Sequence, residues 1–249
     1  MTRILVVLPN WFGETLFATP FLRALRQHQP DAFLATLGRP QCREVLQHNP
    51  QVNELLDYDE RGAHRRVAGI WRLVRLLRSR RFDVGFVLRR SLSRTAFLAL
   101  AGIPRRVGFA NPKSGWLLTH RVAPPAHPMH KASTYLPLLE AVGAPVAAGP
   151  YEYVVGEDER RAARKRLRPH ANGEPDGPLV VLHPGANWPH KRWRPERFAA
   201  LGERVAASHK VRLLVTGGPE DLPLARAIVQ GLRRPATLLA GRTTLSQLG

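Results

Sequence analysis

Apolar positions along the chain fall in short runs, each followed by a longer stretch in which they recur at helical spacing. RILVVLP, residues 3–9, is an uninterrupted apolar run, the pattern of a strand covered on both faces. GETLFATPFLRALRQHQP then carries its apolar residues three and four apart, which predicts a helix. The alternation repeats through AFLATLG and PQCREVLQH, VNELLDY and GIWRLVRLLRSRR, and DVGFVL and SRTAFLALAG. A further helix is expected over KASTYLPLLEAVG, residues 131–143, with Gly143 as its stop and Pro145 just beyond. Strands alternating with helices in this way predict right-handed crossovers and a mainly parallel sheet, an α/β fold.

Around RPHANGEPDGP, residues 168–178, the composition turns polar and rich in Gly and Pro, which marks a linker. A second alternation follows: PLVVLHPG, RPERFAALGERVAAS, VRLLVTGG, DLPLARAIVQGL, ATLLAG and TLSQLG. The chain therefore reads as two Rossmann-like, doubly wound domains, residues 1–172 and 173–249. The second reads as incomplete, because three strands leave a sheet edge uncovered and Gly249 falls inside the opening turn of a helix. Domains of this kind bind ligands at the carboxyl ends of their strands, and two in series are expected to do so in a cleft between them, so the chemistry should lie in the loops just after strands.

Four such loops carry suggestive residues. In PNWFGET, residues 9–15, Gly13 is suited to a tight turn and Glu14 falls in the first helical turn. Glu14 is there either as an acidic residue favoured at a helix start or as a general base. In HPGANWPHKRW, residues 183–193, Gly185 allows close backbone approach, and Lys191 and Arg192 set positive charge beside the start of the helix RPERF. Fixed cations and N–H dipoles there would stabilise the charge that builds on a departing diphosphate, by roughly 3 kcal/mol per donor. The plain alternative is a surface Lys-Arg pair with Trp193 packed in the core. VTGGPED, residues 215–221, places Gly217, Glu220 and Asp221 where an acid can accept hydrogen bonds from ribose hydroxyls. LAGRTTLSQLG sets Gly241 and Thr243 where they could hold a nucleoside, or makes Thr243 or Thr244 a helix N-cap.

The absent motifs narrow the chemistry. There is no G-x-G-x-x-G fingerprint, no G-x-x-x-x-G-K-[ST] loop and no G-x-S-x-G elbow. His127 and His130 flank Pro128 with no Cys or carboxylate close in sequence, so they read as surface loop and no metal is expected.

Composition adds one unusual property, a formal net charge of +19 over 249 residues, nearly all of it from Arg. Acidic partners are implied: a phosphorylated substrate, an anionic membrane surface or nucleic acid. Arginines are spread through FLRALRQ, WRLVRLLRSRRF and RRAARKRLR and not gathered on one arm with interleaved aromatics, which leaves solvated helix faces as a second explanation and argues against nucleic acid. No run approaches the ~20 apolar residues of a membrane span, and the N-terminus has no signal-peptide layout, so a cytoplasmic protein is expected. The single Cys42 cannot form an intrachain disulfide and is expected to act as a small buried hydrophobe.

The combination of ILVVLPNWFGETLFATPFLRALRQHQP, SLSRTAFLALAGIPRRVGF, HPGANWPHKRWRPERFAAL and LLAGRTTLSQL resembles the lipopolysaccharide heptosyltransferases, glycosyltransferase family 9, in particular the heptosyltransferase II type. The resemblance runs from residue 3 to the last residue, with motif order and spacing kept. It implies the GT-B fold and inverting, metal-independent transfer of heptose from ADP-heptose to the inner core of lipopolysaccharide, with no cofactor. Glu14 stands at the family's catalytic base, where Asp is usual, and Lys191 at its phosphate-binding lysine, so these two are the implied catalytic residues. Donor contacts are implied at Gly185, Ala186, Asn187, Lys191, Arg192, Gly217, Glu220 or Asp221, Gly241 and Thr243. Acceptor contacts are implied at Asn10, Trp11, Gly13, Ser91 and Arg94. The family's later D-x-G-x-x-H loop has no counterpart in this sequence.

The implied partners are ADP-heptose, a phosphorylated inner-core acceptor and the anionic inner face of the cytoplasmic membrane, held peripherally by a protein that is monomeric and binds no nucleic acid. A nucleotide-binding fragment or regulator of the same fold, without turnover, is the competing expectation.

Overall fold

The computed structural model describes residues 1–146, 149–167 and 177–248, and the chain divides into two compact units, Met1–Val154 and Val155–Gly249.

In the first unit β1 (Arg3–Val7) leads into α1 (Phe12–Phe17) and α2 (Thr19–His28), followed by β2 (Phe33–Gly38), α3 (Pro40–Leu46), β3 (Glu54–Asp57) and α4 (Val67–Ser79). Then come β4 (Val84–Val87), α5 (Leu92–Leu100), β5 (Arg105–Phe109) and β6 (His120–Val122). All six strands are parallel, in the order β3-β2-β1-β4-β5-β6. That is the Rossmann order, in which the strand sequence reverses between β1 and β4. Alternation along β1 divides the core. Leu5 and Val7 face a layer made with Leu73, Val74 and Leu77 of α4 and Phe97 and Leu98 of α5. The helical layer formed by α2 buries Phe21 fully, and its ring meets Phe86 of β4 edge to face at 5.2 Å. Burying one such side chain contributes about 1.5–3 kcal/mol.

Three local readings change. The single helix expected over residues 13–30 is two, broken at Ala18. Pro20 lacks the N–H that would bond the Leu16 carbonyl, and the Thr19 hydroxyl donates to that carbonyl instead, at 2.8 Å. The segment expected to be one helix over residues 131–143 is a pair of 3₁₀ turns, Lys131–Ser133 and Leu136–Val142. Its stop is as expected, with Gly143 left-handed at φ 72°. RRVGF and HRV are strands although neither shows an apolar run: in the first, two half-buried arginines precede the buried Val107, Gly108 and Phe109, and in the second no residue is fully buried.

In the second unit α6 (Glu157–Arg166) precedes β7 (Leu179–Leu182), α7 (Pro195–Ser208), β8 (Arg212–Val215), α8 (Leu222–Gly231), β9 (Ala236–Leu238) and α9 (Leu245–Leu248). The parallel order is β7-β8-β9. Leu182, Val215, Ala225 and Ile228 form its core with Phe198 and Leu232. α6 carries Glu157, Asp158 and Glu159 in its first turn and Arg164, Lys165 and Arg166 in its last, matching the helix dipole. It belongs to this unit: the Arg166 guanidinium donates to the Arg242 carbonyl, and Arg212 donates to that of Leu167. The division between units therefore precedes α6, whereas the sequence places it at 172/173; residues 168–176 of the expected linker lie outside the described residues.

Candidate functional site

The loops after β1 and β4 leave the sheet at its switch point and form one wall each of an open crevice of ≈ 370 Å³. Pro9, Trp11 and Glu14 come from the first, and Leu88, Arg89 and Arg90 from the second, with Tyr135 opposite. Burial, and next the negative charge of Glu14, push the Tyr135 phenol up to about 12, while Arg89 acts in the other direction. Tyr135 is therefore a neutral donor throughout the neutral range. Glu14, two exposed guanidiniums and a phenol are thus gathered at one point, a combination suited to taking a proton and holding an anionic sugar substrate. Sequence reading found Glu14 and Trp11. It passed over Arg89, Arg90 and Tyr135; the Arg pair follows a strand directly, which is the signal that could have found it.

Arg94 occupies a different place from the one implied for it. It is 3% exposed, one guanidinium nitrogen lies 3.4 Å from the Leu8 carbonyl, another donates to the Asn10 side-chain oxygen, and the group stacks over Tyr58 at 5.2 Å. Burial lowers its pKa from the usual arginine value. Arg94 and Asn10 are therefore engaged with each other beneath the loop after β1, and Arg94 is a positioning residue. Asn10 further accepts, through its carbonyl, from the Gln41 amide at 3.2 Å. Ser91 precedes α5 and its hydroxyl lies 3.2 Å from that of Ser93. Gly13 is not the turn residue expected: it lies within α1, outside the left-handed region, and a Cβ there would meet nothing within 4 Å. At six residues α1 is also too short to lend this loop a strong helix-dipole field. Cys42 is buried as expected, and burial raises its thiol pKa.

Beyond Trp11 a second hollow of ≈ 230 Å³ opens on the same rim, lined by Arg39, Gln41, Tyr58, Glu60 and Arg61. Asp59 organises its far side by accepting from the N–H groups of Gly62 at 2.9 Å, Arg61 at 3.2 Å and Ala63 at 3.3 Å. The Asp59 N–H donates to His64 Nδ1 at 3.0 Å. The three backbone N–H groups hold the Asp59 pKa down, and burial lowers that of His64.

In the second unit the loop after β7 is fixed by its own backbone. Arg192 Nε donates to the Ala186 carbonyl at 2.8 Å, so Arg192 pins the turn that also carries Asn187, while Lys191 stays exposed. Trp193 is exposed and not in the core, with Phe198 edge to face at 5.3 Å. Asp221 is buried and accepts from the Gly218 N–H at 3.0 Å. A Cβ on Gly185 would lie 2.1 Å from the Asp221 carboxylate, and one on Gly217 2.8 Å from the Asp221 Cβ. Gly185 therefore makes room for Asp221, where the sequence suggested room for a ligand. Of the two acids, Glu220 is exposed and Asp221 acts as the brace between two loops. Gly241 is left-handed at φ 69° and donates to the Gly217 carbonyl at 3.0 Å. Thr244 and not Thr243 caps α9, in a reciprocal box with Gln247 at 3.2 and 3.3 Å. Among the described residues no group of three or more His, Cys, Asp or Glu is placed to hold a metal ion.

Two Rossmann-type parallel sheets, with charged loops at their carboxyl edges, define the class: an α/β protein of the GT-B glycosyltransferase type. The sequence profile of glycosyltransferase family 9 (heptosyltransferase) matches residues 70–249, and the chain belongs to that family. Lipopolysaccharide heptosyltransferase 3 of Escherichia coli K12 is 25% identical over 250 residues, covering 96% of this chain and 71% of the relative. Among solved structures, a family 9 glycosyltransferase from Veillonella parvula superimposes with a TM-score of 0.89 at 22% identity, covering 99% of this chain and 71% of that one. E. coli ADP-heptose lipopolysaccharide heptosyltransferase II gives 0.81 at 23% identity, covering 99% and 75%.

Proposed function

We propose that this glycosyltransferase moves a heptose from ADP-heptose to the inner core of lipopolysaccharide, with inversion and without a metal ion. The observation that carries the reading is Glu14 in the switch-point crevice, facing a neutral Tyr135 and beside Arg89 and Arg90. The names of the relatives support the donor and acceptor class, since one is a lipopolysaccharide heptosyltransferase and another is named for ADP-heptose.

In this reading Glu14 takes the proton of the acceptor hydroxyl as its oxygen attacks the anomeric carbon. The bond from that carbon to the diphosphate oxygen breaks on the opposite face, and ADP leaves. Lys191 and the backbone at the start of α7 meet the charge that develops on the diphosphate, with Gly185, Ala186 and Asn187 shaping the turn. Glu220 takes the ribose, and Gly241 and Thr243 lie towards the nucleoside. Trp11 and Ser91 border the acceptor, Arg89 and Arg90 bind its phosphates or carboxylates, and Asn10 and Arg94 hold the loop in place. Gly13 leaves open space at the same rim. The protein works in the cytoplasm, as a monomer in peripheral contact with the membrane; no helix among the described residues is long and apolar enough to span one.

The test is a mass-spectrometric transfer assay with ADP-heptose and a heptosylated inner-core acceptor, with and without EDTA. A heptose-sized mass gain unchanged by EDTA, lowered about 10²–10⁴-fold by Glu14→Gln and about 10²–10³-fold by Lys191→Ala, is expected. ADP binding with no transfer would overturn the transferase reading in favour of a nucleotide-binding protein without turnover.

A further inference from the structure

The arginines of this chain are not equivalent. On α2, Arg23 and Arg26 are spent on the protein itself: Arg23 donates to the Pro150 carbonyl at 2.9 Å, and Arg26 binds the carbonyls of Pro30, Ala32 and Gln51. On α6 and α7 the arginines share their helix with Glu157, Glu159, Glu196 and Glu203. Residues 61–82, which include α4, hold eight arginines and no carboxylate.

The outward stripe of α4 runs through Val67, Trp71, Arg75 and Arg78, with Arg72 and Leu76 beside it, while Leu73, Val74 and Leu77 are buried on the sheet. Val67 is 69% exposed, Trp71 50% and Leu76 38%. Arg78 donates to the carbonyl of the exposed Leu100 at 2.9 Å, which extends the apolar part of the patch onto α5. Among the described residues Arg65, Arg66, Arg72 and Arg75 form no ion pair. The platform is preformed: a Cβ on Gly69 would lie 2.1 Å from the Ala63 carbonyl, so the turn braced by Asp59 is packed directly on the start of the helix.

We propose that the exposed face of α4, with Trp71 at its centre and Arg72, Arg75 and Arg78 around it, is the surface by which the protein docks on an anionic lipid bilayer. An exposed indole among unpaired guanidiniums suits the boundary between headgroups and acyl chains, where the ring is buried and the cations meet lipid phosphates. A duplex nucleic acid would use the charge but give Val67, Trp71 and Leu76 nothing to enter. α4 begins at the carboxyl edge of the sheet, where Arg61 shares a hollow with Trp11, so docking here brings the acceptor-side rim towards the lipid surface. The assignment deepens the peripheral contact proposed above and rests on it, but not on the identity of the sugar.

The experiment is cosedimentation of the whole chain with vesicles of phosphatidylethanolamine and phosphatidylglycerol, against vesicles of phosphatidylcholine. Arg72→Gln and Arg75→Gln are each expected to raise the lipid concentration for half-binding roughly fivefold. Trp71→Ala should raise it about tenfold, and Arg204→Gln with Arg226→Gln, twice the charge change of either single variant but on the second unit, should leave it within about twofold. Equal losses from the control pair, binding to phosphatidylcholine, or no vesicle binding by the native chain would each overturn the proposal. So would a result in which Trp71→Ala is silent while the arginine variants lose duplex DNA binding in parallel. Transfer to a detergent-free, delipidated acceptor separates the two readings: it should be unchanged in all α4 variants, and its absence with vesicle docking intact would count against the transferase alone.

Discussion

Each unit braces its ligand-side loops with one buried charged side chain, and the two charges are opposite. In the first unit Arg94 reaches under the loop after β1 and donates to Leu8 and Asn10. In the second Asp221 accepts from Gly218 and fills the space left by Gly185. A cation satisfies carbonyl oxygens and an anion satisfies N–H groups, so the sign of each brace follows from the backbone groups its loop leaves unpaired. The consequence is the same on both sides: a residue of the type that binds substrate is instead what holds still its more accessible neighbours, Glu14 and Trp11 in one case and Lys191 and Glu220 in the other.

The largest effect should come from removing the first brace. Arg94→Ala leaves the Leu8 carbonyl and the Asn10 amide without their cation and opens a cavity against Tyr58; a loss of about 3 kcal/mol in urea unfolding is expected. A stability change near zero would show that Arg94 does not brace the loop. Asp221→Ala, which orphans the Gly218 N–H, should cost about 1–3 kcal/mol by the same measurement.

Gly185→Ala sharpens the comparison, because its Cβ would meet a carboxylate oxygen at 2.1 Å. Overpacking of this kind costs about 1–3 kcal/mol. In the Asp221→Ala background most of that cost should vanish, since the atoms it strikes are gone; strictly additive losses would refute direct packing between the two residues. Tyr135→Phe should leave the urea midpoint nearly unchanged and lower kcat of the transfer assay about tenfold, as expected for losing one neutral donor beside the base.

The smallest effect concerns the turn that precedes α4. His64 has its pKa lowered below the ordinary 6.5 by burial, so protonation favours the unfolded chain. Its contribution is complete above pH 6.5 and is lost as pH falls through the folded value. Asp59, held below its ordinary 3.8 by backbone N–H groups, contributes above that value and loses its share only in stronger acid. The protection factor of the Asp59 amide, whose N–H donates to His64, corrected for the intrinsic pH dependence of exchange, should therefore fall as the pH drops below 6.5 in the native chain, and that pH dependence should be absent in His64→Phe.

Legibility in the sequence followed the range of the forces concerned. β1, β2 and β4 were readable because a strand covered on both faces must be apolar throughout. β5 and β6 were not, since RRVGF and HRV are short and each opens on two consecutive basic or histidine residues, which leaves no apolar run to read. The helix break at Ala18 was available in Pro20, a local signal that the helical spacing on either side concealed. Among the residues of the crevice, Glu14 and Trp11 follow a strand directly and were legible for that reason, whereas Tyr135 sits just before a distant 3₁₀ segment that no strand-to-helix pattern points to.

The sequence by itself determined the alternation of strand and helix, hence the parallel sheets, and placed the charged loops at their carboxyl edges. Only the tertiary structure decided which charges are buried braces and which face solvent. Arg94 and its partner Leu8 lie 86 residues apart, and Asp221 is pressed on Gly185 from a different loop. Whether a charge is desolvated depends on neighbours brought from elsewhere in the chain, and its type and local spacing carry no record of them.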